Sequence, residues 1–327
     1  MSFMNIPGWI DLQVNGFKGI NFSSPNLTLE DINHVNIELH KRGTVGYCPT
    51  LISSPTETYK HNLPLLSKAM SLEAGAKILG IHLEGPFLNP TNGPRGIHSE
   101  NCIRNPSIKF FEKLYNLANE NIALVTVAPE QPKALDLIEY ISNSTHSTVS
   151  LGHTLADSKI IRDATNLGAR AATHVGNGIS EQINRHKNPI WTILAEDDLY
   201  GLFITDGFHL PKEFIKVALR AKKVSKFIVT SDLIHFSGMS PGNYKLNGVK
   251  VVLEPNGYFH RKNSNQLAGS TRTMMNCVNF IFSLDELAPN DIQKIAFENP
   301  LMLLKKPFRN YMFNSIKIKF KNGSFIL

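Results

Sequence analysis

The chain predicts a (β/α)8 barrel, and three observations carry that reading. Eight short apolar segments fall between residues 9 and 230, most of them separated by stretches of helical periodicity. Nearly all of these segments stop at a polar or charged residue, as barrel strands do where they open onto the site-bearing rim. The first strand-to-helix turn, Asn15-Gly16-Phe17-Lys18-Gly19, lacks the glycine fingerprint that the alternative, a doubly wound open sheet, would want there.

Trp9–Val14 is the first strand, ended by Asn15-Gly16. Thr28–Arg42 is amphipathic and stops at Gly43, and Thr44–Ile52 is the second strand. A helix over Pro55–Met70 precedes the third strand, Ile78–Leu83, which leads into Glu84-Gly85-Pro86 and an irregular loop rich in Pro and Gly. Ile108–Leu117 is helical, and the fourth strand, Ile122–Val127, runs into Ala128-Pro129-Glu130.

Residues 148–177 read as strand, helix, strand. Val149-Ser150-Leu151-Gly152 delivers His153, and Ala171-Ala172-Thr173 delivers His174. Between them Thr154 and Asp157 form a helix-capping pair, Ala156, Ile160, Ala164 and Leu167 recur at helical spacing, and Gly168 stops the helix. So short a unit forces parallel neighbours with a right-handed crossover, which brings both histidines to one rim. Leu202–Thr205 is the seventh strand, followed by Asp206-Gly207 and a helix over Pro211–Lys222. Phe227–Thr230, ended by Ser231-Asp232, is the eighth.

Beyond it the pattern changes. Asn247-Gly248 and Asn256-Gly257 are hairpin turns within Tyr244–Arg261, helices cover Ser270–Phe282 and Pro289–Leu304, and Ile316–Leu327 holds a last hairpin around Asn322-Gly323. The expected organisation is barrel strands and helices over 1–236, a β-hairpin excursion over 237–268, closing helices over 269–308 and accessory strands over 309–327.

Composition narrows the function. With 42% hydrophobic and 19% charged residues, the 327-residue chain has the balance of a globular enzyme. Its net charge of +7 is scattered and not interleaved with aromatics, so no nucleic-acid partner is expected; an anionic small substrate fits better. No apolar run reaches membrane-spanning length and no leader pattern opens the chain, so no membrane partner is expected. Cys48, Cys102 and Cys277 form no disulfide or thiolate-zinc spacing, and a reducing cytoplasm is the expected compartment.

The strand ends bring Gln13, Asn15, Glu84, His153, His174, Asp206 and Asp232 to one rim. One carboxylate and two imidazoles, Glu84, His153 and His174, suit Zn²⁺ or a similar divalent ion with a position left for water. Asp232, on another strand, could take a proton from that water and pass it to a leaving group.

This set resembles the amidohydrolase superfamily, and its motifs are similar to those of N-acetylglucosamine-6-phosphate deacetylases. The matching pieces include Ile10–Gly16 (IDLQVNG), Pro49-Thr50-Leu51-Ile52, Gly80–Phe87 (GIHLEGPF), Gly152-His153-Thr154 and Thr173-His174. They continue with Asp206-Gly207-Phe208-His209, Thr230-Ser231-Asp232 and Leu267-Ala268-Gly269-Ser270, in order along nearly the whole chain. The resemblance implies Glu84, His153 and His174 as ligands of one divalent ion per chain, zinc ahead of iron, manganese, cobalt or nickel. It implies Asp232 as general base and then acid, and His98 as the loop histidine beside the scissile amide. Asn177, Gly178, Arg185 and His209 match the phosphate-side groups, and in relatives the arginine can reach over from a neighbouring subunit, which implies a homodimer. The implied reaction is hydrolysis of the acetamide of N-acetylglucosamine 6-phosphate. The alternatives are another N-acyl amino sugar or small amide as substrate, or a silent barrel that only binds the sugar phosphate.

Two departures qualify the resemblance. Many superfamily members carry His-x-His on strand one; Gln13 and Asn15 stand there instead, which implies a single-metal site. The segment Val175-Gly176-Asn177-Gly178 has small residues where the family has larger ones, which implies a wider pocket, and a reduced accessory β-element is expected.

Overall fold

The computed structural model describes residues 6–246, 248–264, 266–312 and 316–327. Asn247, one half of an expected hairpin turn, and residues 1–5 lie outside them.

Eight parallel strands follow one another around a barrel: β1 (Trp9–Val14), β2 (Thr44–Ile52), β3 (Ile81–Glu84), β4 (Ile122–Val127), β5 (Thr148–Leu151), β6 (Ala169–Ala172), β7 (Tyr200–Ile204) and β8 (Phe227–Thr230). Helices α1 (Leu29–His40), α2 (Thr56–Ala69), α3 (Ile108–Leu117), α4 (Ala134–Ser144), α5 (Ser158–Asn166), α6 (Pro189–Ala195) and α7 (Lys212–Lys226) lie between them. The ladder runs unbroken from β1 to β8, and the ring closes through the bridge Val14–Leu233 and the Asn15 N–H donating to the Leu233 carbonyl at 2.7 Å.

The apolar runs that predicted the strands are buried along their whole length in β1, β4 and β8, as strands covered on both faces must be. Leu12, Cys48, Leu124, Ala171, Leu202 and Ile228 share a cluster within the barrel, joined by Phe297 from a π-helical turn (Lys294–Glu298). Two residues further along several strands come Thr50, Thr126 and Thr173, which form a polar layer with His82 and Ser150. The next level up carries the rim residues.

Three local expectations are corrected. The third strand is split, with Lys77–Ile78 pairing to β2 before Ile81–Glu84 pairs further along; Gly80 between them has a φ of 139°. The sixth strand starts at Ala169 and stops before Thr173. The cap of α5 is Asp157 alone, accepting from the Ile160 N–H at 2.9 Å, because Thr154 donates its hydroxyl to Glu130.

After β8, β9 (Gly242–Leu246), β10 (Val249–Leu253) and β11 (Phe259–Arg261) form an antiparallel meander that packs Val251, Leu253 and Phe259 against Ile234, Phe236 and Ala268. Helix α8 (Met274–Phe282) follows, and β12 (Lys319–Lys321) with β13 (Ser324–Ile326) makes a final hairpin around Asn322-Gly323.

Candidate active site

The carboxyl ends of the strands open into a cleft of about 1090 Å³. Glu84, the last residue of β3, is buried at its floor, with His153 just past β5 and His174 just past β6 beside it. Glu84 Oε1 lies 3.1 Å from His153 Nε2 and 2.9 Å from His174 Nε2, and the two Nε2 atoms are 3.0 Å apart. His153, His174 and Asp232 all hold left-handed backbone angles, with φ of 52°, 31° and 51°. Non-glycine residues pay for such angles in strain, and that strain concentrates where a side chain must be aimed. Here each residue leaves its ladder at once and turns its side chain into the mouth.

Hydrogen bonds fix which nitrogens carry protons. His153 Nδ1 lies 2.7 Å from the Pro94 carbonyl, which can only accept, so Nδ1 carries the proton and Nε2 presents a lone pair. His98 is the reverse case. Its Nδ1 accepts from the Ser53 backbone N–H at 3.3 Å, which leaves the proton on Nε2, 3.9 Å from Glu84 Oε2 and facing the cleft. Burial, then the neighbouring His153, drives the His98 imidazolium down to about 3, so the ring is a neutral donor.

The carboxylates divide just as clearly. Burial alone would raise Glu84, but the His153 and His174 rings beside it outweigh that and hold the carboxyl well below the usual range. Burial, then the Glu84 charge, pushes Asp232 up to about 8, against the pull of His174 and a 2.7 Å hydrogen bond from Asn15 Nδ2. Gln13 Nε2 donates to Glu84 Oε1 at 2.7 Å. The strand-one amides therefore each steady one of these two carboxylates.

Glu84, His153 and His174 are buried and offer ligand atoms within 4.8 Å of one another, an arrangement that could hold a metal ion. The donor set fits one. The Glu84 carboxylate is anionic, His153 Nε2 has a free lone pair, and His174 Nδ1 is buried with no partner among the described residues, so the ring is free to be protonated there while Nε2 points inward.

The remaining expected site residues fall in different places. Asn177 lines the cleft and its Nδ2 donates to the His174 carbonyl at 3.2 Å. Gly178, with φ of 60°, lies so close that a Cβ there would stand 2.9 Å from His153 Nδ1 and 3.1 Å from His174 Cε1, so only glycine fits beside both rings. His209 lines the cleft; its Nδ1 donates to Asp206 Oδ2 at 2.7 Å, which leaves Nε2 for a ligand. Arg185 is exposed, its carbonyl accepts from Trp191 Nε1 at 2.8 Å, and it is not among the cleft residues. His82 bonds to Thr50 and Thr126 in the layer below and touches none of the three ligand candidates through a hydrogen bond.

Some contributors lie in motifs that the sequence shows but that carry no role of their own there. Glu130 accepts from the Leu155 N–H at 2.7 Å, Thr154 Oγ1 at 2.5 Å and Asn89 Nδ2 at 2.8 Å, which ties the loop after His153 to the loop after Glu84. Asp11, fully buried between β1 and β8, accepts from Thr230 Oγ1 at 2.9 Å, from the Ser231 N–H at 3.2 Å and from Ser231 Oγ, immediately before Asp232. Ser53 and Arg261 likewise carried no sequence signal of their own.

A parallel barrel with a carboxylate, two imidazoles and a second acid at its carboxyl rim has the layout of an amidohydrolase. No family model matches the chain. Among curated proteins, N-acetylglucosamine-6-phosphate deacetylase of Caenorhabditis elegans is 35% identical over 286 residues, 83% of this chain and 67% of that protein. The Bacillus subtilis (strain 168) protein of the same name is 30% identical over 298 residues, 90% of this chain and 74% of that one. Among solved structures, the Mycobacterium smegmatis deacetylase superposes with a TM-score of 0.87 at 22% identity, over 99% of this chain and 85% of that one. The Pasteurella multocida deacetylase gives 0.81 at 25%, over 98% and 83%. The chain belongs to the N-acetylglucosamine-6-phosphate deacetylase family.

Proposed function

We propose that this chain hydrolyses the acetamide of N-acetylglucosamine 6-phosphate, releasing acetate and glucosamine 6-phosphate. The observation that carries the reading is the convergence of Glu84, His153 and His174 beside a cleft that Asp232 and His98 also line. Two facts about relatives support the substrate: the curated relatives bear this activity in their names, and a substituted form of the Mycobacterium smegmatis enzyme was solved in complex with N-acetyl-D-glucosamine-6-phosphate.

Glu84, His153 and His174 would hold one divalent ion, zinc by the nitrogen-and-oxygen character of the set. When bound, it supplies Lewis acidity to the acyl oxygen and to water, and its charge opposes the push that Glu84 exerts on Asp232. Asp232 takes a proton from the attacking water and returns it to the amine nitrogen as the C–N bond breaks. His98 directs its Nε2 proton at the developing oxyanion, a role for which a neutral, fixed ring is suited. Asn177, Gly178 and His209 would serve the phosphate side of the substrate, Gly178 from a place beside the His153 and His174 rings.

Arg185 is available on the surface to serve the cleft of a partner in a homodimer. Three free cysteines, two of them buried, support a reducing compartment such as the cytoplasm. Among the described residues no helix is long and apolar enough to cross a membrane. The division into a barrel (1–236, 269–308) and an accessory β-element (237–268, 309–327) is proposed on the same footing.

Acetate release from the 6-phosphate and from unphosphorylated N-acetylglucosamine, with bound metal quantified on the same sample, tests the reading. Turnover of the phosphate ester with about one ion per chain is expected. Bound metal with neither sugar cleaved would move the substrate to another N-acyl compound.

A further inference from the structure

The cleft floor carries Glu84 and Asp232, and Glu181 stands on its wall. Among the described residues that line it, one side chain, Arg261, bears a permanent positive charge. Arg261 ends β11 and lies in register opposite Val251 of β10. Directly opposed residues of an antiparallel pair place their side chains on one face. Val251 is buried and itself lines the cleft, so Arg261 stands over the mouth and not on the outer face of the meander. Its backbone is pinned, the Arg261 N–H donating to the Gln266 carbonyl at 2.9 Å. A ring pair, Phe208 with Tyr258 at 5.3 Å, ties the residue just before that strand to the turn that carries His209.

The outer face of the meander adds to the charge. Lys245 and Lys250 are exposed and directly opposed across β9 and β10. Like charges so placed cost a sheet stability, and they add to the positive charge of the meander.

We infer that Arg261 is a specificity residue, binding the anionic group of the substrate from within the same chain. The inference rests on the reading that the substrate is a phosphorylated amino sugar. A guanidinium presents paired N–H donors that a phosphate accepts side by side, whereas an unphosphorylated sugar hydroxyl gains little from it. Arg261 thus acts on recognition of the phosphate ester and leaves the chemistry at Glu84 and Asp232 untouched.

The test compares Arg261→Ala, Arg261→Lys and Arg185→Ala in the full-length, metal-loaded protein. For Arg261→Ala, the KM for N-acetylglucosamine 6-phosphate should rise roughly 10- to 100-fold, the loss of a hydrogen-bonded charge pair, with kcat nearly unchanged. Kinetics on the unphosphorylated sugar should not move, and Arg261→Lys should recover part of the loss. Unchanged KM in Arg261→Ala overturns the inference, as does loss of phosphate preference in Arg185→Ala alone. Calorimetric titration with inorganic phosphate keeps the two readings separable. If the wild type cleaves neither sugar, the substrate reading fails; phosphate binding that Arg261→Ala abolishes still upholds the anion site, and binding that is absent or survives overturns it.

Discussion

Asn15 Nδ2 donates to Asp232 Oδ1 at 2.7 Å, from the end of β1 to the residue two past β8. The two strand-one amides, at the positions where a two-metal relative would carry imidazoles, each hold a carboxylate instead: Gln13 holds Glu84 and Asn15 holds Asp232. In Asn15→Leu the bond to Asp232 is lost, and kcat should fall roughly 10- to 100-fold, the worth of a hydrogen bond to a charged group. The Asn15 bond also lowers the Asp232 pKa, so its removal should move the acid limb of kcat/KM to higher pH. Steady-state rates across the pH range check both, and an unmoved limb would count against Asp232 as the base.

His98 should behave as a donor that never titrates in the working range. Its ring is held neutral, with a pKa near about 3, and Ser53 fixes its Nε2 proton toward the cleft. His98→Phe should lower kcat roughly 100- to 1000-fold, the scale of a lost oxyanion donor, while both limbs of the pH profile stay where they are. A limb near neutrality that disappears in the variant would show a proton-transferring His98 instead.

Glu84 is the anionic member of the candidate ligand set, accepts from Gln13 and lies within 3.1 Å of both imidazole Nε2 atoms. Glu84→Ala should take bound metal from about one ion per chain to near none and abolish acetate release. Mass-spectrometric metal analysis checks the first part. In the wild type, chelation should remove activity, and added zinc should restore it.

Asp11 makes stability depend on pH. Burial pushes its carboxyl up to about 6 from 3.8, against hydrogen bonds from Ser231 and Thr230. The folded state therefore holds this proton more tightly than the unfolded chain does. The associated stability is full below pH 3.8 and is lost as pH rises through about 6, roughly 3 kcal/mol in all. Asp11→Asn should flatten that dependence, gaining on the wild type between acid and neutral pH in denaturant titrations. A difference between the two that stays constant with pH would place the Asp11 proton elsewhere.

Much of this was legible in the chain. Trp9–Val14, Thr44–Ile52, Ile122–Val127, Phe227–Thr230 and helix Ile108–Leu117 were readable to the residue, because each is an apolar run or stripe bounded by turn chemistry. Helices α4 and α6 were not singled out. The first opens at Lys133 in a left-handed conformation without a side-chain cap, so its start carries no signal. The second is seven residues long, too short to show periodicity. The candidate ligands were visible as strand-end polar residues. The proton positions on His98 and His153 were not, since they depend on Ser53 and Pro94, far away in sequence. Arg261 owes its place over the cleft to a hairpin register that composition does not encode.

The closure between β1 and β8 has a consequence for how the molecule comes apart. Where the other strands share a ladder, this junction relies on the Val14–Leu233 bridge, the Asn15–Leu233 hydrogen bond and the Asp11 clamp. Amide hydrogens at such a junction exchange through small local openings long before the whole barrel unfolds. Because Asp232 sits between Ser231 and Leu233, each opening there carries the candidate base out of position. On warming, catalysis should therefore fade below the melting temperature, with deuterium entering first around residues 11–15 and 230–234.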